Sequence, residues 1–333
     1  MSRIILFISS IIIILLMNVN CSSTQNKVES EPNSLDSLIL KYPDSIPLLV
    51  KRGRLYFEEY QMEKALNDAA KAFRLDSNSI DTRLLYADVI NNLPGRSVND
   101  IVSAQKHFEW IITKDKKNTH AFVSLASTYA QQMDFDNSFT YINKALKIDQ
   151  KYRDAYILKG SNYLKLGNMK LAKSSYETAI QQDVEFYEAY LMLGALYQSE
   201  NNPVCIEYYT TAAKLRPNNL DVLYAYAYAL QNYNQVNQAK EIYRKMIKLD
   251  SNYVESNFQL GYIKQWLEND IDSAMYFYSN AIQIKPDYVE AWHNMGICYL
   301  DKGDKPKALQ SFRKALEFDP EFELSKDMAL KAQ

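Results

Sequence analysis

Thiol and imidazole chemistry in this 333-residue chain is confined to three cysteines and three histidines, widely spaced. His107, His120 and His293 fall in separate segments. A catalytic triad needs a histidine beside a nucleophile and a carboxylate, and the spacing supplies no such grouping. His107 reads as a packing or surface residue. Cys205 and Cys298 have no cationic flank to stabilise a thiolate, so both read as buried, inert thiols. There is no HExxH, no CxxC and no glycine-rich phosphate loop. The 38 Lys and Arg against 40 Asp and Glu leave a net charge of -2, which gives no electrostatic footprint for nucleic acid. These residues call for no metal, no cofactor and no small-molecule substrate, and an envelope enzyme or glycan-binding module is the least supported reading.

The elements around them are helical. Eight glycines and nine prolines are few for this length, which predicts helices joined by short turns. From residue 44 onward a pattern recurs at about 34 residues. In 289–322, Trp292, Met295, Gly296 and Tyr299 lie on one predicted helix, Ala308, Phe312 and Ala315 on the next, and Pro320 closes the unit. Tyr156, Gly160, Tyr163, Ala172, Tyr176 and Ala179 fill the same slots one unit, and Tyr190, Leu193, Gly194, Tyr197, Tyr209 and Ala212 another. Phe122, Leu125, Ala126, Tyr129 and Ala145 form a third set. The pattern resembles the tetratricopeptide repeat. That resemblance implies an all-α fold, a right-handed alpha-alpha superhelix, with small residues where helices approach closely and aromatics between them. Eight units are predicted: 46–80, 81–118, 119–152, 153–186, 187–219, 220–254, 255–288 and 289–322, so 46–322 in all. The second carries a longer loop around Asn92–Arg96. Residues 34–45 read as an N-terminal capping helix and 323–333 as a C-terminal one.

The N-terminus is a separate object. Arg3 precedes an uncharged stretch, Ile4–Met17, shorter than the roughly 20 residues of a spanning helix. Asn18-Val19-Asn20 leads to Cys21 and then Ser22-Ser23-Thr24-Gln25-Asn26. A cysteine directly after an apolar leader, followed by a polar tether, resembles a bacterial lipoprotein signal. The resemblance implies a signal peptide over 1–20, acylation of Cys21, and a flexible lipidated tether over 21–33 with a reach of about 20 Å. Cleavage without lipid and an uncleaved anchor are the alternatives. Ser22 favours the outer membrane over the inner by the same resemblance, with the folded part facing the periplasm or the cell surface.

In the repeat family, the first helices of successive units line a concave channel for an extended peptide or a partner helix. The resemblance places Lys51, Arg54, His120, Ser127, Asp154 and Ser161 there. It adds Tyr224, Tyr228, Gln231, Asn232, Gln259, Tyr262, His293 and Asn294 further along. The Lys/Asn/Arg clamp by which some members hold a terminal carboxylate is not present, since its slots hold Val50 and Arg54, and Ile157 and Ser161. Exposed Tyr beside Asn and Gln suits a protein partner. The chain is thus expected to be a lipid-anchored adaptor that binds proteins. A spacer or self-associating scaffold without a dedicated groove is the alternative.

Overall fold

Turn residues interrupt the helical pattern at regular intervals, and the architecture follows from where they fall. The computed structural model describes residues 31–333; among them the regular structure is entirely helical, with no strand. The expected all-α class is what is found. The chain divides into two compact units, one ending at Ser199 and one starting at Glu200.

The first unit holds α1 (Glu31–Lys41), α2 (Ile46–Glu58), α3 (Met62–Leu75), α4 (Ile80–Asn91), α5 (Val98–Lys114), α6 (Thr119–Gln131), α7 (Phe135–Ile148), α8 (Arg153–Lys165), α9 (Met169–Gln182) and α10 (Tyr187–Ser199). The second holds α11 (Cys205–Leu215), α12 (Leu220–Asn232), α13 (Val236–Leu249), α14 (Val254–Tyr262), a π-helical turn (Ile263–Leu267), α15 (Ile271–Ile284), α16 (Val289–Asp301), α17 (Lys305–Phe318) and α18 (Glu323–Ala332). Within each unit every helix packs on the next in sequence. In the first unit α2 also touches α4, α4 touches α6, and α6 touches α8. The leader, Cys21 and most of the tether lie outside the described residues. Helix α1 starts at Glu31, inside the stretch read as tether: Pro32 falls in its first turn, where a missing N–H breaks no helical hydrogen bond. The same helix stops at Lys41 because Pro43 disfavours helical geometry at the residue before it.

Local chemistry sets the helix ends. Asp134, Asn168, Asp270 and Asp304 each accept the backbone N–H three residues on, capping α7, α9, α15 and α17. Such caps contribute about 1 kcal/mol each. Between successive pairs, Asp76, Asp115, Asp149, Asp183, Asp250 and Asp319 each accept the amide two residues ahead. That Asx-turn starts the chain back toward the next helix.

The turn inside each pair passes through the left-handed region. Tyr60, Gly95, Met133, Gly167, Asn201, Asn234, Asn269 and Gly303 all have positive φ. Glycine and asparagine suit that slot; Tyr60 and Met133 do not. Met133 has φ 63° and is 70% exposed, so it adds little packing to offset its strain. Met133→Gly is expected to raise stability by about 0.5–1 kcal/mol, read as a higher urea midpoint at unchanged slope. A lower midpoint would mean that the methionine side chain contributes more than its backbone costs.

One pair departs from the rhythm. Asn269 follows the start of α14 by fifteen residues, whereas Gly303 follows the start of α16 by fourteen. The extra residue is absorbed as the π-helical turn Ile263–Leu267, the usual way a helix accommodates a single insertion. Its consequence is that Trp266 and Leu267 are about half exposed.

Aromatic rings fill the core of each unit. Tyr176, Tyr209, Tyr243, Tyr278, Phe108 and Phe312 are fully buried. Alanines at 65, 69, 72, 145, 172, 179, 239, 281, 308 and 315 are fully buried as well.

Candidate functional site

Because α4, α6 and α8 lie side by side, their outward faces form a groove of about 610 Å³ in the first unit. Helix α4 contributes Asp88 and Asn91, α6 contributes His120, Ser124, Ser127 and Gln131, and α8 contributes Asp154, Ile157, Ser161 and Lys165. Arg96 enters from the loop after α4, and Tyr152 and Phe186 from the turns before α8 and α10. His120, Ser127, Asp154 and Ser161, spread over 42 positions of sequence, are thereby brought together.

His120 holds the centre of one end. Its Nε2 is 2.9 Å from Asp88 Oδ2, and its Nδ1 is 3.2 Å from the Tyr152 hydroxyl. Ser124 Oγ donates to Asp88 Oδ1 at 3.2 Å and lies 3.4 Å from His120 Nε2. Serine, histidine and aspartate therefore do meet here, which the sequence spacing did not indicate. They are not wired for acyl transfer: the serine and the carboxylate face the same ring nitrogen. In a working triad they occupy opposite ones. The geometry describes an ion pair. The Asp88 carboxylate raises the His120 pKa against the opposing effect of burial, with Asp154 adding to the rise and Arg54 opposing it.

A raised folded-state value gives a defined pH dependence. The protonated pair's contribution is complete below the unfolded value of 6.5 and is lost as pH rises through the higher folded value. His120→Gln is therefore expected to lower the melting temperature at about pH 5.5 and to have a smaller effect at about pH 8.5. An equal deficit at both values would show that the ring acts by packing alone.

The other charges are arranged around it. Asp154 pairs with Arg153 at 2.7 Å, and Arg153 also reaches Asp183 at 2.6 Å while lying over the Phe186 ring at 4.0 Å. Arg96 Nε donates to Gln131 Oε1 at 3.0 Å. Gln131 Nε2 in turn lies 3.3 Å from both Asn91 Oδ1 and Ser127 Oγ. Lys51 and Arg54 are exposed on α2 and do not line this groove. Asp88, Arg96, Gln131, Tyr152, Lys165 and Phe186 were not singled out from sequence. Lys165 was within reach, being one helical turn beyond Ser161.

In the second unit the residues expected on an open face are largely turned inward. Tyr224 stacks on Tyr228 with centroids 6.0 Å apart. Tyr243 OH donates to Gln231 Oε1, Gln231 Nε2 to Gln259 Oε1, and Gln259 Nε2 to Tyr224 OH, each at 3.2 Å. Gln231 and Gln259 are buried, contrary to their expected exposure, because their amides satisfy the tyrosine hydroxyls of the interior. Asn294 is buried with its Nδ2 on Tyr278 OH at 3.2 Å. His293 is corrected too: it is 8% exposed, sits against Phe312 and Phe322, and meets Ser325 Oγ at 2.9 Å. Burial pushes its pKa down to about 4, so it stays neutral and ties α16 to α18. Tyr228 is half-buried, and Asn232 and Tyr262 keep exposed edges. His107 packs between Phe73 and Tyr86 with Nδ1 3.0 Å from Arg83. Cys205 and Cys298 are buried thiols, and burial raises both pKa values, that of Cys298 to about 12.

Comparison with known proteins points to the same architecture. Residues 119–152, 154–183, 220–253 and 289–322 match tetratricopeptide repeat families. The chain is 23% identical over 296 residues to anaphase-promoting complex subunit 3 of Schizosaccharomyces pombe, covering 89% of this chain and 44% of that protein. It is 22% identical over 277 residues to the human mitochondrial import receptor subunit TOM70, covering 80% and 45%. It thus spans less than half the length of these curated relatives. Among solved structures it resembles the APC/C hetero-tetramer Cut9–Hcn1, with TM-score 0.59, 16% identity, and coverage of 95% of this chain and 61% of that one. At that identity the likeness shows the fold alone. Residues 119–152, 154–183, 220–253 and 289–322 thus carry tetratricopeptide repeats, and the regular structure among the other described residues is helical as well.

Proposed function

We propose that this chain is a scaffold that binds other proteins at a bacterial cell envelope, held to the membrane by a lipid on Cys21. The groove over α4, α6 and α8 receives an extended segment of the partner. The observation that carries the reading is the groove itself: serine, glutamine and lysine groups on three packed helices, with Arg96 from the loop after α4, stand around an apolar strip of Val123, Ile157 and Leu158. Rigid helices keep such groups oriented, which lowers the ordering cost of binding. The relatives agree in kind, since their names describe a complex subunit and an import receptor.

A photo-crosslinking residue at Ser127 or Ser161, in living cells, tests the groove. One defined protein is expected to be captured from both positions and not from exposed Lys170 on α9. Capture of further copies of this chain alone would favour the self-associating scaffold, and equal capture from Lys170 would remove the groove from the account.

Support for the anchor comes from the sequence: the Ile4–Met17 leader, Cys21 and the polar stretch behind it. Cys21→Ser is expected to move the chain from the membrane fraction to the soluble or uncleaved precursor pool and to abolish incorporation of labelled fatty acid. Retained label would place the lipid elsewhere.

A further inference from the structure

The charges of the groove are balanced except at one place. Asp88 faces His120, and Asp154 faces Arg153. Arg96 and Lys165 line the same groove and face no carboxylate within ion-pairing distance among the described residues. We propose that the Arg96–Lys165 end of the groove is a carboxylate subsite, taking the side chain of an Asp or Glu within the partner's extended segment. This rests on the groove being the partner's seat, as read above.

The loop that delivers Arg96 is unusual within the fold. Six residues, 92–97, separate α4 from α5, against three, 132–134, between α6 and α7. The extra length turns at Gly95, with φ 69°, and carries the next residue to the groove. Once there, the guanidinium is oriented. Its Nε is committed to Gln131, and Nη1 has only a 3.5 Å contact with the Leu93 carbonyl. Nη2 has no partner among the described residues. The free edge is the one from which arginine grips a carboxylate with two N–H groups.

Lys165 adds a second, mobile charge from the last turn of α8. Partial desolvation and the neighbouring Arg96 charge both lower its pKa, the mark of two cations sharing one space. An anion between them removes that repulsion. The subsite suits a side chain because Lys165 stands one helical turn, about 5.4 Å, beyond Ser161. A peptide backbone lying over Ser127 and Ser161 reaches that distance with a glutamate side chain while continuing in both directions.

The probes are short peptide libraries, acetylated and amidated at their ends and randomised except at the central residue. That residue is Glu in one, Gln in the second and Lys in the third. A fourth library has central Gln and a free C-terminal carboxylate. Each is applied to the immobilised full-length protein at low salt. The Glu library is expected to be retained about tenfold more than the Gln library. That preference is expected to vanish in Arg96→Gln and in Lys165→Gln, and to shift toward the Lys library in the double variant Arg96→Glu/Lys165→Glu. Unchanged thermal melting confirms that each variant folds. Equal retention of Glu and Gln libraries, including no retention of either, overturns the subsite. So does retention of the free-acid library alone, which would assign the cations to a chain terminus. Ser127→Trp separates this failure from failure of the groove. If it removes peptides that show no Glu preference, the groove stands without the subsite. If it leaves retention untouched, the peptides bind elsewhere and both readings fall.

Discussion

Gly296→Ala is expected to destabilise the protein by about 1–2 kcal/mol, although alanine is the better helix former by about 1 kcal/mol. The packing decides the sign. A Cβ at Gly296 would stand 2.5 Å from Phe312 Cε1 and 2.8 Å from Cδ1 and Cζ. Phe312 is fully buried, between Ala308, Ala329 and Ala332, so its ring has no free space to yield into. Gly160 meets Tyr176 at 2.7 Å and Gly261 meets Tyr278 at 2.7 Å in the same way. The glycine and the ring are therefore one device repeated along the chain. Gly296→Leu is expected to cost about 3 kcal/mol. Adding Phe312→Leu to Gly296→Ala is expected to recover part of the loss, because two residues in contact are not additive. Urea unfolding of the two single variants and the double variant measures the coupling. If Gly296→Ala is stabilising, helix propensity outweighs the contact and the close approach has slack.

That device is also what made the fold legible. Glycine seven residues into a first helix, with an aromatic on the second, survives in Gly160/Tyr176 and Gly296/Phe312 without help from tertiary structure. Its period alone carries the repeat. The candidate site was legible only where it obeys the same period: His120, Ser127, Asp154 and Ser161 come together because they sit on first helices at related positions. Arg96 does not obey it. It enters by a loop insertion, which reads in sequence as a defect of the repeat and in the structure as the source of a groove residue. The misplaced residues fail for a different reason. A first helix is covered by its own partner helix and by the first helices on either side, so little of its circumference stays open. Periodicity cannot tell the open strip from the neighbouring buried ones. Gln231, Gln259, His293 and Asn294 were assigned to the open strip by the resemblance, from their places on first helices. Each instead satisfies a hydroxyl inside: the tyrosines at 224, 243 and 278, and Ser325.

Asp68→Ala is expected to lower stability by about 3 kcal/mol, at the low end for loss of one member of a buried pair. Arg52, on α2, reaches two other helices at once. Its Nε and Nη2 donate to the two oxygens of Asp68 on α3, each at 2.7 Å, and its Nη1 donates to Asp36 on α1 at 2.7 Å. The Arg52 and Asp68 side chains are 18% and 7% exposed, so neither can rehydrate when the other is removed. Lys51 and Arg54 on either side are exposed. A shift of one position along α2 thus separates a solvated charge from one that fastens α1, α2 and α3 together. Asp36 is more exposed, and Asp36→Ala is expected to cost less than 1 kcal/mol overall while loosening α1, seen as faster amide exchange there alone. The decisive comparison is Asp68→Ala with the double variant Arg52→Met/Asp68→Leu. Replacing both charges with apolar groups of similar volume leaves nothing unpaired, so the double variant is expected to unfold at a higher denaturant concentration than the single one. If Asp68→Ala costs under 1 kcal/mol, water enters the site and Arg52 acts as a surface charge. If the double variant is no better than the single, the geometry of the fork itself holds the three helices in register.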